Sequence, residues 1–186
     1  MAGKLDGDIA VFQGIPFARP PVGALRWREP QLVLNWAGMR DATKPGHPCM
    51  QDVAGTDNFI APLAAAYGGE FARQPVDPSE DCLYLSVWTP RPSSDARLPV
   101  MVWLHGGSNR VGSGSEPAYD GNVLASHGVV VVTINYRLGA MGFFAHPELT
   151  AEPPNHSFGN YGLLDQLAAL RWVQQNIAAL GGIPAT

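Results

Sequence analysis

The stretch Pro99-Val-Met-Val-Trp-Leu-His-Gly-Gly-Ser108 decides the fold of this chain. It opens on a continuous apolar run, and Gly106-Gly107 bounds that run, which is the pattern of a strand fully buried in a sheet. A second run, Val129-Val-Val-Val-Thr-Ile134, is rich in β-branched residues and predicts a second buried strand. Two such strands in succession favour a parallel pair joined by a crossover helix.

Helices are predicted after both strands. Residues 120–127 predict a short helix that Gly128 ends, and a longer helix, which Gly181-Gly182 ends, follows the second strand. Apolar residues recur in the longer helix at steps of three and four, which predicts one buried stripe. The members of this stripe are Leu163, Leu167, Leu170, Val173, Ile177 and Leu180. The alternation of strands and helices predicts an α/β fold with a mixed, mostly parallel sheet flanked by helices.

The whole chain, residues 1–186, is expected to belong to one domain. Residues 1–98 predict short strands, at 9–12 and 83–89, separated by proline-rich loops, whereas residues 99–186 predict a βαβα core segment. A helix that leaves a parallel strand should cross over and lead into another parallel strand. The chain stops soon after Leu180 without such a strand, so we expect the domain to be incomplete.

The charge and hydropathy of the chain disfavour several classes of protein. The net charge is −4, so there is no basic surplus to bind a nucleic-acid backbone. No run approaches 18 consecutive apolar residues, so no transmembrane helix is predicted. No apolar segment follows Met1, so no signal peptide is predicted. Either the protein stays in the cytoplasm, or it is secreted and its true N-terminus lies before Met1.

The pair Gly106-Gly107 is the first candidate for chemistry, because it lies where a strand ends and the backbone must turn. Consecutive glycines permit positive φ angles and let backbone N–H groups approach a ligand closely. Two N–H groups that converge on one point can form an oxyanion hole. The alternative is a tight turn that binds no ligand, and the glycine pair alone leaves both interpretations open.

Further motifs, in order along the chain, resemble those of the type-B carboxylesterase family. They are residues 12–27, Glu80-Asp-Cys-Leu-Tyr-Leu-Ser-Val-Trp-Thr-Pro90, 99–107, 112–115, Asn135-Tyr-Arg-Leu-Gly-Ala-Met-Gly-Phe143 and Gly159-Asn-Tyr-Gly-Leu-Leu-Asp-Gln166. The resemblance covers nearly the whole chain. It implies the N-terminal part of an α/β-hydrolase fold and an activity on carboxylic esters.

The resemblance also assigns roles to the loop after the first buried strand. The backbone N–H groups of Gly107 and Ser108 are expected to donate to the oxyanion, and Gly106 is expected to permit the turn. Ser108 stands where the family pattern has a third glycine. Its Cβ is expected to narrow the acyl pocket or to restrict the φ angle of the loop.

A serine esterase of this fold requires a nucleophile in the pattern Gly-x-Ser-x-Gly. The chain has nine serines, and none has glycine both two residues before it and two residues after it: 79, 86, 93, 94, 108, 113, 115, 126 and 157. We therefore predict the N-terminal portion of a serine hydrolase of small-molecule carboxylic esters, without the catalytic serine, acid and histidine and inactive alone. The alternative is a non-catalytic α/β-hydrolase-like binding or adhesion module, or a gene relic.

The two cysteines, Cys49 and Cys82, allow one intramolecular disulfide, and the resemblance implies that it forms. It would close a loop of about 34 residues and stabilise the fold by roughly 3.8 kcal/mol at most. In a reducing cytoplasm both residues would be free thiols instead.

Two structural ion pairs are implied by the resemblance, Arg26 with Glu80 and Arg137 with Asp165. The first would tie the N-terminal segment to the strand after Cys82, and the second would fix the loop after the second buried strand to the long helix. No cofactor is expected, and no metal-ligand spacing is present in the sequence. The sequence leaves the oligomeric state open.

Overall fold

The structure of the protein is a computed structural model that describes residues 1–34, 36–52, 62–69, 77–151 and 159–184. Within these ranges the strands form a mixed five-stranded sheet in the order β1-β2-β3-β5-β4. The strands are β1 (Lys4–Asp6), β2 (Ile9–Pro16), β3 (Tyr84–Thr89), β4 (Val100–Leu104) and β5 (Val130–Ile134). Each of the four strand regions predicted from the sequence is therefore confirmed.

The pairing of the strands is partly different from the expectation. β4 and β5 are parallel, in register from Val100 opposite Val130 to Leu104 opposite Ile134. The pairs β1–β2, β2–β3 and β3–β5 are antiparallel. The sheet is mixed, as predicted, but parallel pairing does not predominate in the described residues. The connections are consistent with this, because a helical crossover joins β4 and β5, whereas a tight turn at Gly7 joins β1 and β2.

The α-helices that position the site are short, apart from the last. They are α1 (Asn122–Ser126), α2 (Gly139–Phe143), α3 (Pro147–Ala151) and α4 (Tyr161–Asn176). Segments of 3₁₀-helix lie at Gly23–Leu25, Pro117–Tyr119 and Ile177–Leu180. Gly128 and Gly181, predicted to end the helices, have φ angles of 84° and 92°. These left-handed conformations are the ones in which glycine commonly ends a helix.

Helix α4 presents a different face to the sheet from the one predicted. Its buried residues include Tyr161, Asp165, Ala169 and Val173, which are spaced four apart. The leucines at 163, 167 and 170, expected to be buried, are 41–47% exposed. In the last turns the prediction is confirmed, because Ile177 and Leu180 are buried. The apolar stripe is thus only partly covered in the described residues, and Asp165, paired with Arg137, lies on the buried face instead.

Strand β4 has the apolar pattern of a buried strand, but without the strand expected to follow the long helix it was also predicted to present an open edge, and this prediction is confirmed for the described residues. It is an edge strand, and Met101, Trp103 and Leu104 are 40–47% exposed. Strand β5, by contrast, is buried along its whole length. A row of apolar residues thus predicts a strand, but it does not determine whether that strand has one neighbour or two.

The core lies on both faces of the sheet. On one face, Val132 and Ile134 of β5 belong to the same cluster as Val173 and Ile177 near the end of the long helix. On the other face, Ala125 of α1 packs with Trp88 and Val131. Helices therefore cover the sheet on both sides, as an α/β fold requires. None of the helices within the described ranges is long and apolar enough to cross a membrane.

Candidate oxyanion site

The candidate site lies where β4 and β5 end. Because the two strands are parallel, their carboxyl ends meet at the same edge of the sheet. His105 directly follows β4, and Asn135 directly follows β5. Such an edge is where α/β proteins usually bind their ligands. We refer to residues 105–112, which leave the sheet here, as the oxyanion loop.

The oxyanion loop folds back on itself, and two glycines make this possible. The carbonyl oxygen of Gly107 accepts hydrogen bonds from the N–H groups of Arg110 (3.0 Å) and Val111 (3.2 Å). Gly107 has a φ angle of 109°, and a Cβ there would lie 2.0 Å from the Val111 carbonyl oxygen. Gly112 has a φ angle of 114°, and its Cβ would lie 2.4 Å from Nδ1 of His105. Both positions therefore require glycine.

The two predicted donors are accessible within this loop. Gly107 and Ser108 are exposed, and their N–H groups have no hydrogen-bond partner in the part of the chain that the structure describes. Ser108 has a φ angle of 55° and Asn109 one of 59°, so both adopt the left-handed conformation. Ser108 therefore adopts a backbone conformation that favours glycine, so its Cβ strains the loop at this position.

Asn135 anchors the segment that follows the oxyanion loop. Its Oδ1 accepts hydrogen bonds from the Gly114 N–H (2.8 Å) and the Ser113 hydroxyl (3.1 Å). Its Nδ2 donates to the carbonyl oxygen of His47 at 2.9 Å. The side chain is buried, so these bonds are shielded from water. Asn135 was not predicted to have a role, although a polar residue directly after a buried strand is a recognisable signal.

His105 holds the start of the oxyanion loop from within the protein. It is buried, and its ring stacks on Tyr136 with the centroids 4.4 Å apart. The Tyr136 hydroxyl donates to the His105 carbonyl oxygen at 2.7 Å, and His105 Nδ1 lies 2.9 Å from the Gly106 carbonyl oxygen. This carbonyl requires Nδ1 to carry the hydrogen, while burial lowers the pKa of His105. His105 therefore shapes the loop as a neutral ring.

The burial of His105 predicts a loss of stability in mild acid. The unfolded chain gains a proton on this residue near pH 6.5, whereas the folded chain gains it only at lower pH. The stabilisation is thus complete above about pH 6.5 and is lost as the pH falls through the lowered pKa of the folded state. We expect the free energy of unfolding, measured in urea at pH 7.5 and 5.5, to fall more in the wild type than in His105→Gln.

His127→Gln is the matched control, because His127 is exposed. This variant should reproduce the wild-type difference between the two pH values. If His105→Gln shows the same difference as well, the burial of a neutral His105 does not contribute to the pH dependence.

The ion pair between Arg137 and Asp165 joins the loop after β5 to helix α4. Nε and NH2 of Arg137 donate to the two carboxylate oxygens at 2.8 and 2.7 Å, and the Arg137 N–H donates at 3.0 Å. Both residues are buried. Burial raises the pKa of Asp165, and the hydrogen bonds from Arg137 act in the opposite direction. Removal of either side chain would therefore leave the other as a buried charge without a counterion, which destabilises the folded state.

The remaining predicted contacts lie on the N-terminal side of the site. Nε and NH2 of Arg26 each donate to one oxygen of the Glu80 carboxylate, both at 2.6 Å. Cys49 and Cys82 form the predicted disulfide, and both are buried. These contacts fasten residues 26 and 49 to the segment that leads into β3.

Two further aromatic residues and one of the nine serines lie outside the oxyanion loop. Tyr119 packs against Trp103, with ring centroids 5.3 Å apart, and Phe143 is half-buried at the end of α2. Ser157 lies outside the described residues. Within the described ranges, no three His, Cys, Asp or Glu side chains are grouped so that they could hold a metal ion.

A mixed sheet flanked by helices, with this loop at the strand ends, is the arrangement of the α/β-hydrolase fold. The model of the carboxylesterase family matches residues 2–186. The chain belongs to the carboxylesterase family.

Individual relatives agree with this assignment. The chain is 49% identical over 180 residues to the fumonisin B1 esterase of Sphingopyxis macrogoltabida, covering 97% of this chain and 31% of that protein. It is 45% identical over 182 residues to human cocaine esterase, covering 96% of this chain and 30% of that protein. A solved carboxylesterase of Geobacillus stearothermophilus superposes with a TM-score of 0.81 at 41% identity, covering 97% and 33%. The chain thus spans about a third of the length of these relatives.

Proposed function

We propose that the chain is the N-terminal portion of a serine carboxylic-ester hydrolase and supplies two donors of its oxyanion hole. The donors are the N–H groups of Gly107 and Ser108, and the turn is made at Gly107 and not at Gly106, because Gly106 has no positive φ angle and a Cβ there would meet no atom within 4 Å. One observation carries this proposal: two consecutive, exposed N–H groups without a partner in the described chain lie in a loop that is held at both ends.

The chemistry follows from ester hydrolysis by a serine. When the hydroxyl attacks the ester carbonyl, the carbonyl oxygen becomes an oxyanion, and a histidine passes the proton to the leaving alcohol. Each donor aimed at the oxyanion is worth roughly 3–4 kcal/mol at the transition state. A loop already folded by glycines and buried side chains needs little reorganisation during the reaction. This mechanism requires no cofactor.

The substrate class we propose is a small-molecule carboxylic ester. The names of the relatives, fumonisin B1 esterase and cocaine esterase, describe hydrolysis of such esters. The glycines of the oxyanion loop favour this proposal over a non-catalytic binding module, whereas family membership alone does not separate the two.

We further propose that the nucleophile, the acid and the base are not among these 186 residues. The support is the sequence, because none of the nine serines has the Gly-x-Ser-x-Gly pattern. A fluorophosphonate probe, which reacts with activated serines, should therefore leave the isolated chain unlabelled in intact-mass measurements. The Geobacillus carboxylesterase under the same conditions is the positive control. Stoichiometric labelling of a serine in the chain would overturn this part of the proposal.

A further inference from the structure

The side chain of Gln51 connects the disulfide region to the far end of the oxyanion loop. Its Nε2 donates to the carbonyl oxygens of Gly112 (2.9 Å) and Cys49 (3.1 Å), and its Oε1 accepts from the Gly112 N–H at 2.8 Å. Carbonyls only accept and the N–H only donates, so these partners fix the orientation of the amide. Gln51 therefore pairs with both polar backbone groups of Gly112.

The position of Gly112 in turn constrains the start of the loop. A Cβ on Gly112 would lie 2.4 Å from His105 Nδ1 and 2.8 Å from the Gly106 carbonyl oxygen. The Gly112 backbone is thus packed directly against the two residues that precede the proposed donors. A displacement of Gly112 toward or away from them changes the space in which Gly106 and Gly107 turn.

The disulfide holds Gln51 in place from the other side. Cys49 lies two residues before Gln51, and Cys82 lies two residues before the start of β3 at Tyr84. The carbonyl of Cys49 is itself a partner of the Gln51 amide. A continuous series of contacts therefore runs from the sheet through the disulfide and Gln51 to Gly112.

We propose that Gln51 is a positioning residue of the oxyanion loop, and that the Cys49–Cys82 disulfide orders the loop through it. The consequence for catalysis rests on the proposed function. The hydrogen-bonded connection does not, so it can be tested on the chain alone without any measurement of hydrolysis.

The test is amide hydrogen exchange, resolved by NMR, on the wild type, Gln51→Leu and Gln51→Glu. In Gln51→Leu we expect exchange at Gly112 to accelerate at least about tenfold, since its acceptor is lost. The amides of Arg110 and Val111, which bond to Gly107 rather than to Gln51, should accelerate as well. Val87 in β3 reports on global unfolding and should not change.

Two variants distinguish positioning from a merely local contact. Gln51→Glu retains an oxygen that can accept from the Gly112 N–H, but it replaces the Nε2 donor by an oxygen that repels the carbonyl oxygens of Gly112 and Cys49, so exchange at residues 110–112 should accelerate as in Gln51→Leu. Gln31→Leu is the matched control, because it removes a 2.9 Å bond from a glutamine amide to the Glu29 carbonyl at an exposed position. It should leave residues 110–112 unchanged. If Gln51→Leu accelerates amide exchange at Gly112 alone, or at none of residues 110–112, the proposal is wrong.

The role of the disulfide is tested by adding dithiothreitol to the wild type and to Gln51→Leu. Reduction should accelerate amide exchange at residues 110–112 in the wild type. It should add little to the exchange rates of Gln51→Leu, because reduction and the substitution interrupt the same contacts. Additive effects would show that the disulfide does not act through Gln51. If reduction also accelerates amide exchange at Val87, the whole chain has unfolded. The role of Gln51 is then judged from the oxidised variants alone. None of these measurements involves hydrolysis, so an unexpected result would contradict the role of Gln51 without contradicting the proposed function.

Discussion

Asp165→Leu should reduce the free energy of unfolding by about 3–5 kcal/mol, since it leaves Arg137 buried without a counterion. The guanidinium is enclosed between the loop after β5 and helix α4, where water cannot replace the lost carboxylate. The Asp165 side chain also accepts from the Arg137 backbone N–H, so a second buried donor loses its partner. Urea denaturation of the wild type and the variant at neutral pH measures the difference.

Two controls separate the buried charge from other effects of this substitution. The double variant Arg137→Leu, Asp165→Leu removes both charges and should recover much of the lost stability. Arg91→Leu breaks the exposed ion pair of Arg91 with Asp95 and should cost less than about 1 kcal/mol. If Asp165→Leu costs as little as Arg91→Leu, the pair does not hold α4 against the sheet.

Gly107→Val should lower kcat at least about 100-fold in an ester hydrolase that contains this chain, with little change in KM. The hydrolase for this test is the Geobacillus carboxylesterase in which the present chain replaces the third that it matches. A side chain at Gly107 would meet the Val111 carbonyl at 2.0 Å and would require the positive φ angle that Val disfavours. The loop would therefore open, and its donors would leave the oxyanion.

Gly38→Val is the matched control for backbone strain. Gly38 also has a positive φ angle, 76°, but no described atom lies within 4 Å of the position of its Cβ. This variant should lose some stability and keep its kcat. If Gly107→Val retains the kcat of the parent chimera, or if Gly38→Val loses as much, the loop is not part of an oxyanion hole.

The strands and the sharp turns were predictable because each depends on a short stretch of sequence. The run 129–134 became a strand because β-branched residues fit a buried sheet, and Gly181 ended a helix because it adopts φ 92° readily. The disulfide and the ion pairs were predicted from the resemblance to the family motifs. The local sequence around one partner of such a pair does not identify the other partner.

Features that depend on several distant segments were not predictable in this way. The leucines at 163, 167 and 170 form a regular apolar stripe, yet they are partly exposed, whereas Asp165 is buried in its pair with Arg137, 28 residues away. Gln51 was missed because its partner Gly112 lies 61 residues away. Asn135 was missed for the same reason, since it contacts residues 47 and 114 only after folding.

The central claim is that this chain carries the oxyanion side of an ester hydrolase, and the chimera with the Geobacillus carboxylesterase tests it most directly. The measurement is kcat/KM for a p-nitrophenyl ester, with circular dichroism to establish that the chimera is folded. We expect a value within about tenfold of the parent enzyme, since the proposed donors and their supports are all present in the chain. A folded chimera that does not hydrolyse the ester would contradict it.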